Sequence, residues 1–360
     1  MKNKSVRRCE LDIFRIVAIT GVVLFHYTFR GFASDNMSQL SFPFFGAIFK
    51  YGYMGIYLFF MVSGYANALS STSGHIKQFV ISRICRLYPC FWIGVTLTSI
   101  VTLVLGGDRY HVSFAQYLVN LSMLNDLFGV EPVDGAYWFL FQIIKFYIFV
   151  VIILMFKLGR YQEYVAGIWL LMSIAIKITH LYSMEPILMP ELSSFIVAGI
   201  IFCTSQKNGW NVYRYSVVIC SLLFSIHSAY GDRSYFQQHY HTSISLAVIW
   251  VILSIFYLGF YLITLRHKLV KESDRIVLFG ATTYPLYLIH QNVGFMIFNF
   301  VGGCCNKYLV LFLTFSLMAS VAFVITKYVE PYFRARLRVV VETIISVSGE
   351  WAMKMAVQFR

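Results

Sequence analysis

Charged residues are scarce in this 360-residue sequence, where they make up 12% of the total. A soluble domain carries about twice that share. Hydrophobic residues make up 59%, and the mean hydropathy is +0.69. Apolar runs of about twenty residues recur along the chain, which is the length needed to cross the core of a bilayer. The composition therefore excludes an ordinary soluble enzyme and predicts an all-α integral membrane protein.

Several common signatures of catalysis and metal binding are absent. There is no GxxxxGK[ST] phosphate loop, which argues against ATP-driven transport by this chain. There is no HExxH motif, and the seven cysteines form no CxxC pair or zinc-type spacing. His239 and His241 flank Tyr240, and we interpret them as part of a solvated loop. We expect no metal site.

The net charge of +13 follows an alternating pattern along the chain. Such a charge suggests nucleic acid in a soluble protein, but Lys and Arg also collect in the cytoplasmic loops of membrane proteins. With the N-terminus in the cytoplasm, only Arg30, Lys50, Arg109, Arg233 and Lys307 of the 29 basic residues fall outside. This bias predicts about ten spans, both termini in the cytoplasm, and no nucleic-acid partner.

We predict that the chain forms a single transmembrane domain over residues 1–338, followed by a short cytoplasmic tail over residues 339–360. The predicted spans are Leu11–Phe29, Gly52–Leu69, Leu87–Leu105, Tyr137–Phe156, Tyr164–His180, Ile187–Thr204, Tyr213–Tyr230, Ser243–Leu265, Phe279–Val301 and Tyr308–Tyr328.

The first span carries three ionisable residues, Asp12, Arg15 and His26. An ionisable side chain at membrane depth costs a few kcal/mol or more unless it is paired or lines a wet cavity. Over eleven positions a helix turns about 1100°, ~20° past three full turns, and rises roughly 16 Å. Arg15 and His26 therefore share one face, which predicts the two ends of a polar passage. The ionisable residues also favour the interpretation of this segment as a retained membrane span over a cleaved signal peptide.

Five further places combine polar residues with apolar sequence. Arg83 and Arg86 are three residues apart, so they share a helix face and can clamp phosphates, although ordinary positive-inside charge explains them too. Lys145 lies too deep in its span to snorkel easily. The other candidates are Ser63 after the glycines of the second span, Tyr137, Trp138 and Gln142 around the start of the fourth, His290 in the ninth, and Glu330 at the end of the tenth.

Taken in order, these residues resemble the acyltransferase-3 family of membrane O-acyltransferases, which acylate bacterial surface glycans. Leu11-Asp12 followed by Arg15, ten residues and His26 is similar to the opening pattern of the family. Further motifs match in order, over roughly Leu11 to Arg336: Gly52, Gly55, Phe59, Phe60, Ser63 and Gly64; Arg83, Arg86, Tyr88 and Pro89; Asn120 to Leu124; Trp138-Phe-Leu; Tyr284 to His290; and Glu330-Pro331. At Gln142 the chain departs from the many members that have Glu, which leaves an acid role at this position open.

The resemblance implies an acetyl-CoA-dependent O-acetyltransferase of the bacterial inner membrane. It implies acetyl-CoA as co-substrate, with Arg15, Arg83 and Arg86 at its phosphates and Ser63 nearby. His26 is the expected general base, because an imidazole with a pKa near 6.5 takes a proton from a sugar hydroxyl at neutral pH. An acetyl-histidine intermediate stays open as another route.

The expected acceptor is a surface glycan or a lipid-linked oligosaccharide in contact with membrane lipid. Tyr137, Trp138, Gln142 and Lys145 are the residues expected to shape its site. Asp12, His290 and Glu330 are further candidates, and a hydrogen-bonded structural role explains His290 equally well.

A transporter or flippase for a lipid-linked glycan is the alternative function. It too requires about ten spans, buried charge and wet cavities. The discriminating observation is covalent, since a transporter leaves the mass of the glycan unchanged whereas the enzyme adds one acetyl group per modified residue.

Overall fold

The computed structural model describes residues 8–34, 37–71, 75–265 and 270–358, with side chains described as far as residue 346 except at position 71. These residues form helices and connecting segments, with no strand among them. The α-helices are α1 Cys9–Phe25, α2 Gly31–Ala33, α3 Pro43–Phe49, α4 Gly55–Ser71, α5 Ile76–Leu105, α6 Phe114–Asn120, α7 Trp138–Met155, α8 Gln162–Thr179, α9 Glu185–Leu188, α10 Pro190–Asn208, α11 Val212–Tyr240, α12 Leu246–Leu265, α13 Asp274–Ile289, α14 Gln291–Val301, α15 Lys307–Val324 and α16 Glu330–Gln358.

Seven helical stretches within the described residues are long and apolar enough to cross a membrane. The predicted all-α membrane fold is therefore confirmed. The other predicted spans fall on α1, on α8 and on the pair α13 and α14. The number ten and the cytoplasmic placement of both termini stay predictions.

Helix α10 lies at the centre of the helix bundle. It packs against α4, α8, α11 and α12, and 83% of its apolar stretch is buried. A Cβ at Gly64 of α4 would overlap the backbone of Ile196, and one at Gly199 of α10 would overlap the backbone of Met61. Small residues thus let these two backbones approach closely, as they do in many membrane helix pairs.

Helix α1 is held between α4 and α13. On the α4 side, Gly52 faces the backbone of Gly21 and Gly55 faces the carbonyl of Ala18. Gly52 and Gly55 thus let the second span approach α1 closely. On the α13 side, Gly280 lies against the side chain of Asp12. The polar face of α1 is therefore turned towards α13.

Two helices extend beyond the predicted ends of their spans. Helix α11 continues past Tyr230 to Tyr240, because Asp232 accepts hydrogen bonds from Tyr53 and Tyr57 of the second span. Helices α15 and α16 are joined by the π-helical turn Ile325–Val329. The backbone is helical across residue 338, so the predicted tail starts inside α16 without a structural break. Its side chains beyond residue 346 lie outside the described part.

Candidate active site

A large cavity of about 920 Å³ opens beside the Arg15 end of α1. This volume lies at the upper end of the range for small-molecule sites. The lining includes five basic residues and two acidic ones, which are Arg8, Arg15, Arg86, Lys207, Arg334, Asp12 and Glu330. Positive charge therefore dominates the cavity, which suits an anionic ligand.

A narrow cavity of about 100 Å³ continues from the large one into the bundle. The two cavities share Arg15, Ala66, Arg86 and Tyr284. Further in, the narrow cavity is bounded by aromatic rings, among them Tyr287. Because the two cavities adjoin at these shared residues, we interpret them as one passage that runs from the arginines towards Tyr287.

The structure brings together the four residues predicted for the donor end, which are Arg15, Ser63, Arg83 and Arg86, because all four line the narrow cavity. The Nη1 atom of Arg15 donates to Oδ1 of Asp12 at 2.6 Å. The Nη2 atom of Arg83 donates to the hydroxyl of Ser70 at 2.7 Å. The Nε atom of Arg83 is buried and has no hydrogen-bond partner among the described residues. A guanidinium with a spare buried N–H is suited to bind phosphate.

At the opposite end of α1, His26 meets the second intramembrane histidine, His290. The Nδ1 atom of His26 lies 3.0 Å from Nε2 of His290 and 2.9 Å from the carbonyl oxygen of Val22. The Nδ1 atom of His290 lies 2.7 Å from the carbonyl oxygen of Tyr287. Both histidines are buried, at 6% and 0% exposure. Arg15 and His26 thus both face the helix pair α13 and α14, as their spacing predicts.

These contacts determine which ring nitrogens carry protons when both rings are neutral. A carbonyl oxygen only accepts, so Nδ1 of His290 must carry a hydrogen and its Nε2 is an acceptor. The Nδ1 atom of His26 then carries the hydrogen that is shared by Val22 and His290. Its Nε2 is unprotonated and makes no hydrogen bond with the described residues. The Val22 carbonyl and the second histidine together hold the hydrogen on Nδ1, which leaves Nε2 of His26 available as a base.

His290 lies at a break between α13 and α14, where neighbouring residues bond to the backbone groups that lack a helical partner. In a continuous helix the N–H of Asn292 would bond to the carbonyl of Leu288. Here the N–H of Asn292 instead donates to Asp134 at 2.9 Å, and the Leu288 carbonyl accepts from the hydroxyl of Tyr137 at 3.1 Å. The segment from Asp134 to Tyr137 therefore fixes the backbone on both sides of His290.

The predicted acceptor residues do not gather around the histidine pair. Tyr137 serves the α13 backbone, whereas Trp138 is 42% exposed at the protein surface. Lys145 donates to the carbonyl of Pro186 at 3.0 Å, and Gln142 is half-buried on the same helix. Glu330 lies apart from them, at the large cavity, 3.6 Å from Arg334. Their roles in substrate binding stay predictions.

An aromatic ring separates the passage from the histidines. Tyr287 lines the narrow cavity, and its ring centroid is 5.6 Å from that of His290. Its hydroxyl donates to the carbonyl of Ala136. His26 lines neither the large nor the narrow cavity. The passage that the first span predicts is present at the Arg15 end and closes at Tyr287.

Two features of this site were missed from the sequence. One is the contact between His26 and His290, which are 264 positions apart. The other is Tyr287, whose only signal is its place three residues before His290 within Tyr284 to His290.

Comparison with known proteins identifies the family of the chain. The family model Acyl_transf_3, described as an acyltransferase domain, matches residues 10–329. Neither the curated proteins nor the solved structures give a significant match. Since the family match covers most of the chain and includes both ends of the passage, the protein belongs to the acyltransferase-3 family and is a multi-pass membrane acyltransferase.

Proposed function

We propose that the protein is an O-acetyltransferase of a bacterial inner membrane. It transfers an acetyl group from cytoplasmic acetyl-CoA to a hydroxyl of a surface polysaccharide or its lipid-linked repeat unit, as a step of polysaccharide biosynthesis. The observation that carries the proposal is the arrangement along α1: an arginine-lined cavity at one end and a hydrogen-bonded histidine pair at the other.

The donor end suits the phosphates of acetyl-CoA. Arg15, Arg83 and Arg86 come from two helices and line one cavity. Guanidinium groups bind phosphate through paired N–H donors, which makes arginine better suited than lysine. The large cavity accommodates the nucleotide, and the narrow cavity directs the thioester arm towards Tyr287. In this proposal the Tyr287 side chain moves aside when the acyl group reaches His26.

His26 acts as general base in the transfer. Its Nε2 takes the proton of the acceptor hydroxyl while the hydroxyl oxygen bonds to the thioester carbonyl carbon. The C–S bond then breaks, and the CoA sulfur leaves with the proton. An acetyl group carried briefly on Nε2 of His26 is the alternative route, and it uses the same nitrogen.

Replacing His26 tests this function directly. A general base contributes about 10²–10⁴-fold, so His26→Ala should lower glycan acetylation by that factor. His227 is exposed on α11, so His227→Ala is the matched control and should retain full activity. Acetylation is measured as added mass and as acetyl signals in proton NMR of the surface polysaccharide. Normal acetylation by a correctly inserted His26→Ala variant would remove the proposed base.

The arginine clamp has its own test. Arg83→Ala and Arg86→Ala should weaken binding of CoA, measured by titration of the purified protein, and should lower transfer accordingly. Full activity with unchanged donor affinity contradicts the clamp. The transporter alternative predicts that deleting the gene changes the amount of exported glycan but not the mass of its repeat unit.

A further inference from the structure

Arg30 lies beside the histidine pair, at the end of α1 that is far from the arginine-lined cavity. It closes the π-helical turn His26–Arg30, four residues after His26 and therefore on a similar face of the helix. Its charge acts on both imidazoles and on Asp134. A π-helical turn within an α-helix is frequently found at a functional site.

Arg30 has no carboxylate partner that explains its position. It is half-buried, and it forms no salt bridge within 4.0 Å with any residue that the structure describes. Asp134 is the nearby carboxylate, but its two oxygens already accept the N–H groups of Ala136 and Asn292. A half-buried guanidinium without an ion pair is suited to bind an anionic oxygen.

Gln291 provides a second, independent observation at the same place. Its side chain is fully buried, and its Oε1 atom has no hydrogen-bond partner among the described residues. Its Nε2 atom donates to Oδ1 of Asn292, which fixes the orientation of the amide, because Nδ2 of Asn292 donates to the carbonyl of Val133. Leaving a buried acceptor unpaired costs about 1–3 kcal/mol, so a ligand that donates a hydrogen bond is the expected occupant.

Gly135 brings the two polar groups together. A Cβ at this position would lie 2.6 Å from Nε2 of Gln291 and 3.8 Å from Nη1 of Arg30. The amide and the guanidinium therefore border the same glycine, immediately next to His290. One group offers charged N–H donors and the other offers a lone carbonyl oxygen.

We propose that Arg30 and Gln291 form the oxyanion and acceptor site of the transfer reaction, an inference that rests on the proposed function. When the acceptor hydroxyl attacks, an electron pair of the acyl C=O bond moves onto its oxygen, and the N–H groups of Arg30 bind this oxyanion. The hydroxyl proton goes to Nε2 of His26. The oxyanion then reforms the carbonyl as the C–S bond breaks, and the CoA sulfur keeps the electron pair, takes the proton from Nε2 of His26 and leaves as the thiol. Gln291 Oε1 accepts a hydrogen bond from a second hydroxyl of the acceptor sugar.

The chemistry of the tetrahedral intermediate explains why both groups are needed. That intermediate carries one negative oxygen and, when the acceptor is a sugar, further hydroxyl donors. Donors aimed at a developing oxyanion are often the largest single contribution to catalysis. Arg30 supplies the charge at the oxyanion, and Gln291 favours a polyhydroxylated acceptor over water.

The test uses the full-length protein in inverted membrane vesicles supplied with radiolabelled acetyl-CoA, with label counted in the glycan fraction. Arg30→Gln should lower kcat by about 10²–10³-fold, the usual cost of an oxyanion donor, with an unchanged KM for acetyl-CoA. Arg30→Lys keeps the charge and should recover part of the loss. Arg109 is exposed in a loop, so Arg109→Gln is the matched control and should behave as the wild type.

Gln291→Met has a similar length and removes the polar atoms. It should lower label incorporation about tenfold, and it keeps the proposal testable where Arg30→Gln fails to insert. Transfer by either inserted variant within twofold of the wild type overturns the proposal, and so does an Arg30→Gln variant that changes only the KM for acetyl-CoA. Loss of transfer in His26→Ala with full transfer in both variants would leave the proposed function standing and remove the oxyanion site alone.

Discussion

His290 places its Nε2 atom 3.0 Å from Nδ1 of His26, and its own Nδ1 atom 2.7 Å from the carbonyl of Tyr287. This chain of contacts orients the proposed base, as the buried partner of a catalytic histidine does in hydrolases. His290 is therefore a positioning residue for His26 in the proposed reaction.

Replacing His290 should impair transfer without affecting donor binding. His290→Leu removes one of the two acceptors of Nδ1–H of His26 and leaves the carbonyl of Val22 as the other. We expect kcat to fall by less than the roughly 10⁴-fold that loss of a tautomer-fixing partner costs in hydrolase triads. His290→Gln keeps an acceptor oxygen and should recover part of this loss. The measurements are kcat, KM for acetyl-CoA, and the pH profile of kcat.

A merely structural His290 would give a different pattern. Both variants would then lower the amount of folded protein, while kcat per folded molecule and the pH profile would stay as in the wild type.

Gly52 controls the distance between α1 and the second span. A Cβ there would overlap the carbonyl of Gly21, which is backbone and has no room to yield. Gly52→Ala should therefore lower stability by about 1–3 kcal/mol, as overpacking does, and should reduce the melting temperature in detergent. Gly231 of α11 has open space around it, so Gly231→Ala is the matched control. It should be neutral or stabilising by roughly 0.5–1 kcal/mol. Equal melting temperatures for both variants would contradict the close approach.

Arg214 and Glu163 form a buried two-point ion pair that joins α11 to α8. The Nε and Nη2 atoms of Arg214 lie 2.6 Å and 3.0 Å from the two carboxylate oxygens. Removing one partner leaves a buried charge, so Glu163→Ala should destabilise the protein by about 3–5 kcal/mol. The double variant Glu163→Leu with Arg214→Met should be considerably more stable than Glu163→Ala in thermal melting. If the double variant were as unstable as Glu163→Ala, the loss of stability would come from altered packing and not from the unpaired charge of Arg214.

Asp134 should make stability depend on pH. Burial raises the pKa of this carboxyl from 3.8 to about 6, against the opposing effect of the N–H groups of Ala136 and Asn292. The folded state therefore holds the proton more tightly than the unfolded state. The contribution of Asp134 to the free energy of unfolding is greatest below about pH 4. This contribution of roughly 2–3 kcal/mol is lost as the pH rises through 6. Melting temperatures at pH 4.5 and pH 7 should differ more in the wild type than in Asp134→Asn. An equal difference would contradict the shift.

The sequence was most informative about features that are local or periodic. Hydropathy predicts the helical membrane fold, and the eleven-residue spacing of Arg15 and His26 predicts that they share one face of α1. The three-residue spacing of Arg83 and Arg86 predicts that they share a helix face, and both line the narrow cavity. Each of these conclusions depends on neighbours along one helix, where geometry follows directly from spacing.

Features that depend on contacts between distant helices were not predictable. Nothing in the spacing of His26 and His290 indicates that their rings meet, because that contact depends on how α1 packs against α13. The end of α11 was predicted ten residues early, at Tyr230, because residues 231–240 are polar. Asp232 accepts hydrogen bonds from the hydroxyls of Tyr53 and Tyr57, which belong to the second span.

The break between α13 and α14 has a consequence for how the proposed glycan acceptor enters. The stretch from Asp134 to Tyr137 is part of the backbone bonding of α13 and α14, so it cannot swing away as a flap without disturbing the seat of His290. The acceptor must therefore enter from another side of the protein, where movement of side chains alone opens a path. Insertions in the long connection after α5 should accordingly be accepted around Gly107 and excluded from this short stretch.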